Sequence, residues 1–159
     1  MSWTAGKVRT LAEARAWRQG QAGPVVFTNG VFDLLHPGHV ELLEAARSEG
    51  HALIVGVNSD ASARRLGKGT GRPVASESAR ARVLAGLAAV DCVVLFDEDT
   101  PLALIEALEP DVLAKGADYA REAIVGADLV ESRGGRVVRI PLVPDQSSTR
   151  LVERVRGSS

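Results

Sequence analysis

Five short apolar runs, each followed by a stretch carrying helix signals, constrain this chain more than any other feature. The runs are Val25-Val26-Phe27, Leu53-Ile54-Val55-Gly56-Val57, Val93-Val94-Leu95-Phe96, Val112-Leu113-Ala114 and Val137-Val138-Arg139-Ile140. They lack the apolar–polar alternation of a strand with one wet face, so they suit strands covered on both sides. Between them Pro37 stands at a first helical position, Ser76 precedes Glu77, and Thr100-Pro101 precedes the apolar residues 102–108. Each is a helix-start signal. Strand and helix in repeated succession predict an α/β fold: an open, mostly parallel five-stranded sheet with helices on both faces. Ligands of such a sheet bind beyond the carboxyl ends of its strands, where loops lead into helices.

Ahead of the first run, Thr10-Leu11-Ala12-Glu13 has the spacing of a capping box and opens an alanine-rich helix that should reach Gly20. The expected organisation is a helical lead-in over residues 1–22, one domain over 23–156 and a frayed polar tail at 157–159. One domain of 159 residues buries roughly two thirds of its unfolded surface and needs no staple. The single Cys92 lies inside an apolar run, which excludes an internal disulfide and favours a reducing compartment. With 19 basic against 20 acidic residues the net charge is −1, leaving no global field to draw nucleic acid or an anionic membrane. No segment approaches the ~18 apolar residues of a membrane span, and no secretory leader is visible. The chain is expected in the cytoplasm, with small molecules as partners.

The polar residues fall where the topology wants them. Thr28, Asn29, Gly30 and His36 follow the first predicted strand, Asn58 and Asp60 the second, Lys115, Asp118 and Tyr119 the fourth, and Ser147, Ser148 and Thr149 the fifth. His36-Pro37-Gly38-His39 is the most informative stretch. Pro37 presets the first helical turn, Gly38 leaves room for a ligand, and histidines three apart project to one side. Two imidazoles thus flank a helix start whose amides and macrodipole favour an anion. Fixed donors at such a point stabilise the charge that spreads over a phosphoryl centre as pyrophosphate departs. A lone histidine at a helix start is ordinarily a cap; the pair, with glycine between and Thr28-Asn29-Gly30 ahead, favours chemistry. Zinc is the poorer reading, because a third ligand at metal-binding spacing is missing, Asp33 being the nearest candidate.

The string from Val25 through His36-Pro37-Gly38-His39 resembles the first motif of the cytidylyltransferase-like nucleotidyltransferase superfamily, which carries H-x-G-H. Further strings are Val57-Asn58-Ser59-Asp60, the loop 69–73 with Arg72 before proline, Glu98-Asp99-Thr100-Pro101, Lys115-Gly116-Ala117-Asp118-Tyr119 and Ser147-Ser148-Thr149. In order and spacing they are similar to the heptose 1-phosphate adenylyltransferases, the nucleotidyltransferase half of the bifunctional heptose enzymes of bacteria. The likeness covers residues 23 to about 156. It implies a Rossmann-like HxGH fold and a reaction in which ATP and D-glycero-β-D-manno-heptose 1-phosphate give ADP-heptose and pyrophosphate.

By position, His36 and His39 correspond to the family's catalytic histidines, and Thr28 with the backbone at Asn29 and Gly30 to its phosphate contacts. Ser148 and Thr149 correspond to a pair that grips the nucleotide's phosphates, and Ser147-Ser148-Thr149 also reads as a helix cap. Lys68, in a glycine-rich loop flexible enough to close and basic enough to neutralise a phosphate, is a candidate catalytic residue, against its reading as a solvated turn. Lys115, ending a buried strand, should point into the ligand crevice and bind nucleotide. Asn58 and Asp60 are candidates for ribose or base contacts; Asp33, Arg72, Asp118 and Tyr119 are candidates for the sugar phosphate. Asx residues after strands are also frequent turn formers.

Three departures from the family pattern stand out: Val31 for a usual cysteine, Cys92 for an aromatic, and Ala117 for a second glycine in the loop that approaches the sugar. No sugar-kinase domain precedes the motif, which implies a separate kinase. Mg2+ is expected with the triphosphate, and relatives suggest a homodimer. Glycerol 3-phosphate cytidylyltransferases and pantetheine-phosphate adenylyltransferases share the fold and H-x-G-H. Against the former, Val143-Pro144-Asp145-Gln146 stands where an arginine-threonine-acid-glycine lead-in belongs; against the latter, the 69–73 and 115–119 strings fit poorly. A nucleotide-binding module without turnover would not need donors aimed at a departing pyrophosphate.

Overall fold

Residues buried on both faces of a strand must be apolar at every position, and the five runs obey this to different degrees. In the computed structural model, which describes residues 2–67 and 69–158, they become β1 (Val25–Gly30), β2 (Ala52–Asn58), β3 (Cys92–Phe96), β4 (Val112–Gly116) and β5 (Arg136–Ile140). All are parallel, in the spatial order β3-β2-β1-β4-β5. β2 is buried throughout, whereas β5 at the edge is only partly covered. The other edge, β3, is met by the N-terminal segment, where Val8 bridges Val93 and the Arg9 amide donates to the Val93 carbonyl at 2.9 Å.

The helices are α1 (Leu11–Gln19), α2 (Pro37–Arg47), α3 (Asp60–Arg65), α4 (Glu77–Ala85), α5 (Leu102–Leu108), α6 (Ala127–Ser132) and α7 (Ser148–Gly157), with short 3-10 turns at Ala5–Lys7 and Arg121–Ala123. Their starts follow the sequence signals: the hydroxyls of Thr10, Ser76 and Ser147 accept from the amides of Glu13, Ala79 and Arg150. Alternate residues of each strand feed two cores. Val25, Phe27, Ile54, Cys92, Val94 and Leu113 pack with α1, α5 and α6 on one face. Val26, Leu53, Val55, Val57, Val93 and Val112 pack with α2 and α4 on the other. Gly56 is set by this packing, since a Cβ there would lie 2.9 Å from the Phe27 ring and 3.2 Å from Leu104. Burial also raises the Cys92 thiol pKa, opposed only in part by Arg9.

The sheet opens at one point. β1 pairs with β2 along its whole length, to Gly30↔Val57, but with β4 only at Val26↔Val112 and Phe27↔Leu113. From Thr28 onward β1 and β4 part. Chain connections also diverge here, β1 leading to β2 on one side and β3 crossing over to β4 on the other, which makes this the topological switch point where open α/β sheets hold ligands.

Candidate active site

β1 ends at Gly30, and the chain turns through Phe32, held at φ +51°, into the start of α2. His36 is the N-cap in extended conformation, with Pro37 opening the helix. The His36 amide donates to Nδ1 of His39 at 3.3 Å, so the proton of a neutral His39 ring lies on Nε2, its remaining donor. The two rings stack, centroids 3.8 Å apart and 25° from parallel, and the Phe32 ring meets His39 edge-on at 5.4 Å. Gly38 makes this possible: a Cβ there would lie 2.9 Å from His36 Cε1 and 3.0 Å from its Nδ1.

The start of α7 packs on the same spot. That Gly38 Cβ would also lie 2.9 Å from Cβ of Gln146, and the Ser148 hydroxyl donates to the Leu34 carbonyl at 2.8 Å. Ser147 caps α7 while Thr149 is exposed in its first turn. Two helix N-termini therefore sit side by side, each with the positive end of its dipole; at α2 the free amide is that of Gly38, because Pro37 has no N–H and the His39 and Val40 amides donate to the His36 carbonyl. The His36 side chain faces the His39 amide in a capping-box arrangement that falls short of hydrogen-bond geometry, and among the described residues the buried side-chain polar atoms without a hydrogen-bond partner are His36 Nδ1 and Thr28 Oγ1. Buried polar atoms are nearly always paired, so both mark a place where something else supplies the partner. Burial lowers the His36 pKa below its ordinary 6.5, which leaves the ring neutral at pH 7.

The parting of β1 and β4 forms a cleft of about 350 Å³, lined by Asn29, Gly30, Asn58, Thr100, Lys115, Tyr119 and Val125 among others. Lys115 closes its floor: Nζ donates to the Asn29 carbonyl at 2.9 Å and lies 4.9 Å from the centre of the Tyr119 ring. That carbonyl lies beyond the last β1–β4 pair, so an ammonium takes the place of the missing ladder bond. Asn58 is buried and donates from Nδ2 to the Ser62 hydroxyl at 3.0 Å. Sequence had grouped Lys115 with the nucleotide contacts; it lines the cleft with Tyr119, and neither histidine belongs to that lining.

Other candidates are engaged elsewhere. Asp33 and Arg72 form a buried ion pair at 2.8 Å, with side-chain exposures of 2% and 7%. Asp33 also accepts from the amides of Val74 and Ala75 at 2.9 Å. Burial alone would raise its carboxyl; the Ala75 and Val74 amides and the Arg72 guanidinium outweigh that and hold it below the usual value. Expected to face a sugar, this carboxylate instead spends its lone pairs on the segment that follows the glycine-rich loop. Asp60 is bound to Arg80 at 2.8 Å; burial alone would raise its pKa, but Arg80, the Glu77 amide and the charge of Arg64 bring it down. Asp118 is exposed and outside the cleft lining. Lys68 lies outside the described residues. Sequence reading passed over Arg80 entirely: it looks like one more charge on a helix, and only the fold reveals it as fully buried. Among the described residues no group of three His, Cys, Asp or Glu side chains is arranged to hold a metal ion, and no helix is long and apolar enough to cross a membrane.

The chain is 58% identical over 144 residues to the bifunctional protein HldE of Mesorhizobium japonicum, covering 91% of this chain and 29% of that protein. It is 59% identical over 134 residues to the bifunctional protein HldE of Gluconobacter oxydans, covering 84% and 28%. The chain thus spans less than a third of the length of these curated relatives. Among solved structures it resembles the lipopolysaccharide core biosynthesis protein from Thermoplasma volcanium, with a TM-score of 0.64 and 27% identity over 77% of this chain and 98% of that one. Residues 27–154, which take in both helix tips and the cleft, match the cytidylyltransferase-like family, and this chain belongs to it.

Proposed function

We propose that this chain is an adenylyltransferase that converts ATP and D-glycero-D-manno-heptose 1-phosphate to ADP-heptose and pyrophosphate, for lipopolysaccharide or another bacterial glycan. The observation that carries the chemistry is the convergence of the α2 and α7 starts on a buried, unpartnered His36 Nδ1. Such a site is made for a polyanion. The sugar is supported by the motif resemblance, by the 58% identity to a protein named HldE, and by the likeness to a protein named for lipopolysaccharide core biosynthesis.

An oxygen of the acceptor's phosphate attacks the α-phosphorus of ATP, the bond from that phosphorus to the β-phosphate oxygen breaks, and pyrophosphate leaves with the electron pair. The protein contributes no covalent step. His36, His39 and the Gly38 amide at the start of α2 hold the leaving phosphates and stabilise the charge that develops on them. Ser147, Ser148 and Thr149 bring the α7 amides to the same group. Thr28 Oγ1, with Asn29 and Gly30 at the end of β1, borders the α-phosphate. The acceptor occupies the cleft, where Lys115 is the cation among the described lining residues and the Tyr119 ring offers a flat apolar wall. Removing one preorganised donor of this kind costs ~100- to 1,000-fold in rate, the scale for His36→Ala or His39→Ala. Lys68 is carried forward as a closing charge on the phosphates.

Mg2+ is proposed as the counter-ion that arrives with ATP. The described residues offer it no carboxylate cluster. A kinase, on another domain or another chain, supplies the sugar phosphate; homodimer assembly and a cytoplasmic setting complete the reading. The test is mass-spectrometric identification of products from ATP or CTP with heptose 1-phosphate, glycerol 3-phosphate and 4′-phosphopantetheine, alongside pyrophosphate release. ADP-heptose is the expected product. Turnover confined to CTP, or to either other acceptor, sinks the sugar assignment, and no pyrophosphate with any pair sinks the enzyme.

A further inference from the structure

The geometry points to Arg80 as a positioning residue for the transfer step, one that touches no substrate and fixes the histidine tip against the base of the glycine-rich loop. Its side chain is fully buried, one turn into α4. Nη1 donates to the Val31 carbonyl at 2.7 Å and to the Asn58 carbonyl at 2.8 Å. Nε donates to the Ala75 carbonyl at 3.0 Å, and Nη2 to Asp60 Oδ1 at 2.8 Å. These acceptors belong to the segment leaving β1, the end of β2, the segment entering α4 and the start of α3. A planar fork with five donors can serve all four from one point; an ammonium cannot.

Two chains of contact lead from this hub to the site. Val31 is followed by Phe32, whose ring packs against His39, which stacks on His36. Ala75 is gripped twice, its carbonyl by Arg80 and its amide by Asp33, and Asp33 also holds Arg72 and Val74 at the foot of the loop. The histidines and the loop thus take their relative position from one guanidinium. A single anchor is a poor stability device, because a buried charge must be repaid in bonds; as a positioning device it is economical, since a shift of ~1 Å in a reacting group costs ~100-fold.

The inference rests on the nucleotidyl-transfer reading, and its test separates the two. Arg80→Lys keeps the charge and loses the fork. Expected, well below the unfolding temperature, is a kcat lowered ~10- to 100-fold, with KM for ATP and sugar phosphate within ~3-fold and one ATP site per chain by titration calorimetry. A purely structural role would instead lower kcat and the number of ATP sites together, and that outcome overturns the proposal, as does parental kcat. Should Arg80→Lys not fold, Phe32→Leu, which cuts the relay to His39, must give the same kcat loss with ATP binding retained; parental kcat in that variant overturns it equally. A parental chain without turnover overturns the enzyme reading and this role with it.

Discussion

Gly38→Ala separates site geometry from stability more sharply than removal of either histidine. Gly38 lies inside the first turn of α2 and its φ is outside the left-handed region, so alanine meets no backbone strain and gains up to ~1 kcal/mol in helix propensity. The cost is steric. Its Cβ would stand 2.9 Å from His36 Cε1 and 2.9 Å from Gln146 Cβ, about 0.6 Å short of the ~3.5 Å at which carbons rest. Overpacking of this kind costs ~1–3 kcal/mol, so the net loss is at most ~3 kcal/mol. In a chain of this size that lowers Tm by less than ~12 °C. The displaced groups, however, are the His36 ring and the lead-in to α7, and displacement on this scale costs ~10- to 100-fold in rate. Steady-state pyrophosphate release at 25 °C, with a thermal melt on the same sample, reads both quantities. A folded Gly38→Ala chain with parental kcat would refute the argument that these two helix starts must touch to work.

Because burial keeps His36 neutral at pH 7, a polyanion bound against it should raise its pKa and draw in a proton; calorimetry of ATP binding in buffers of different ionisation enthalpy reads that uptake, and none at pH 7 contradicts the placement of phosphate at Nδ1. The same lowered pKa means the unfolded chain protonates first, so His36 costs stability as pH falls from 6.5 toward its folded value. Asp33→Asn breaks a buried ion pair and should cost ~3 kcal/mol or more by urea denaturation at pH 7; folding lowers the Asp33 pKa, so its contribution is complete above 3.8 and is lost as pH falls through the folded value, and a deficit unchanged into that range would count against the pair. Lys115→Met should raise KM for the sugar phosphate at least ~10-fold with KM for ATP little changed; the reverse split would return Lys115 to the nucleotide.

The fold was legible because burial on two faces leaves a run no choice of residues. Val25-Val26-Phe27 and Leu53-Ile54-Val55-Gly56-Val57 could be nothing else, and the caps Thr10, Ser76 and Ser147 announced their helices. Strand ends were less visible. β1 runs to Gly30 because β2 supplies a ladder partner for each of its residues, a long-range fact that three polar-to-neutral residues do not encode locally. The α3 helix was missed for a similar reason: six residues are too few for a periodicity, and Ser59 as its cap looks like any turn. In the site, the motif histidines and serines were findable because their chemistry depends on local spacing along one helix turn. The ion pairs of Asp33 with Arg72 and of Asp60 with Arg80, and the hold of Arg80 on Val31, were not legible because these partners lie 20 to 49 positions apart, and a charge paired in the fold looks identical in sequence to one waiting for a ligand.

On the proposed reading, that distinction explains how a chain of net charge −1 can meet a triphosphate. Among the described residues, the cationic side chains Arg72 and Arg80 are consumed by internal carboxylates and carbonyls, and Lys115 is tied to a main-chain oxygen. On that reading the anion is met chiefly by the starts of two helices and by the His36 and His39 rings, groups positioned before a ligand arrives. A charge that binds the ground state as well as the transition state improves affinity without accelerating the reaction. Fixed dipoles converging on one point favour the distribution of charge that exists only while the phosphoryl group is in transit. The internal ion pairs are the means by which those dipoles are held still.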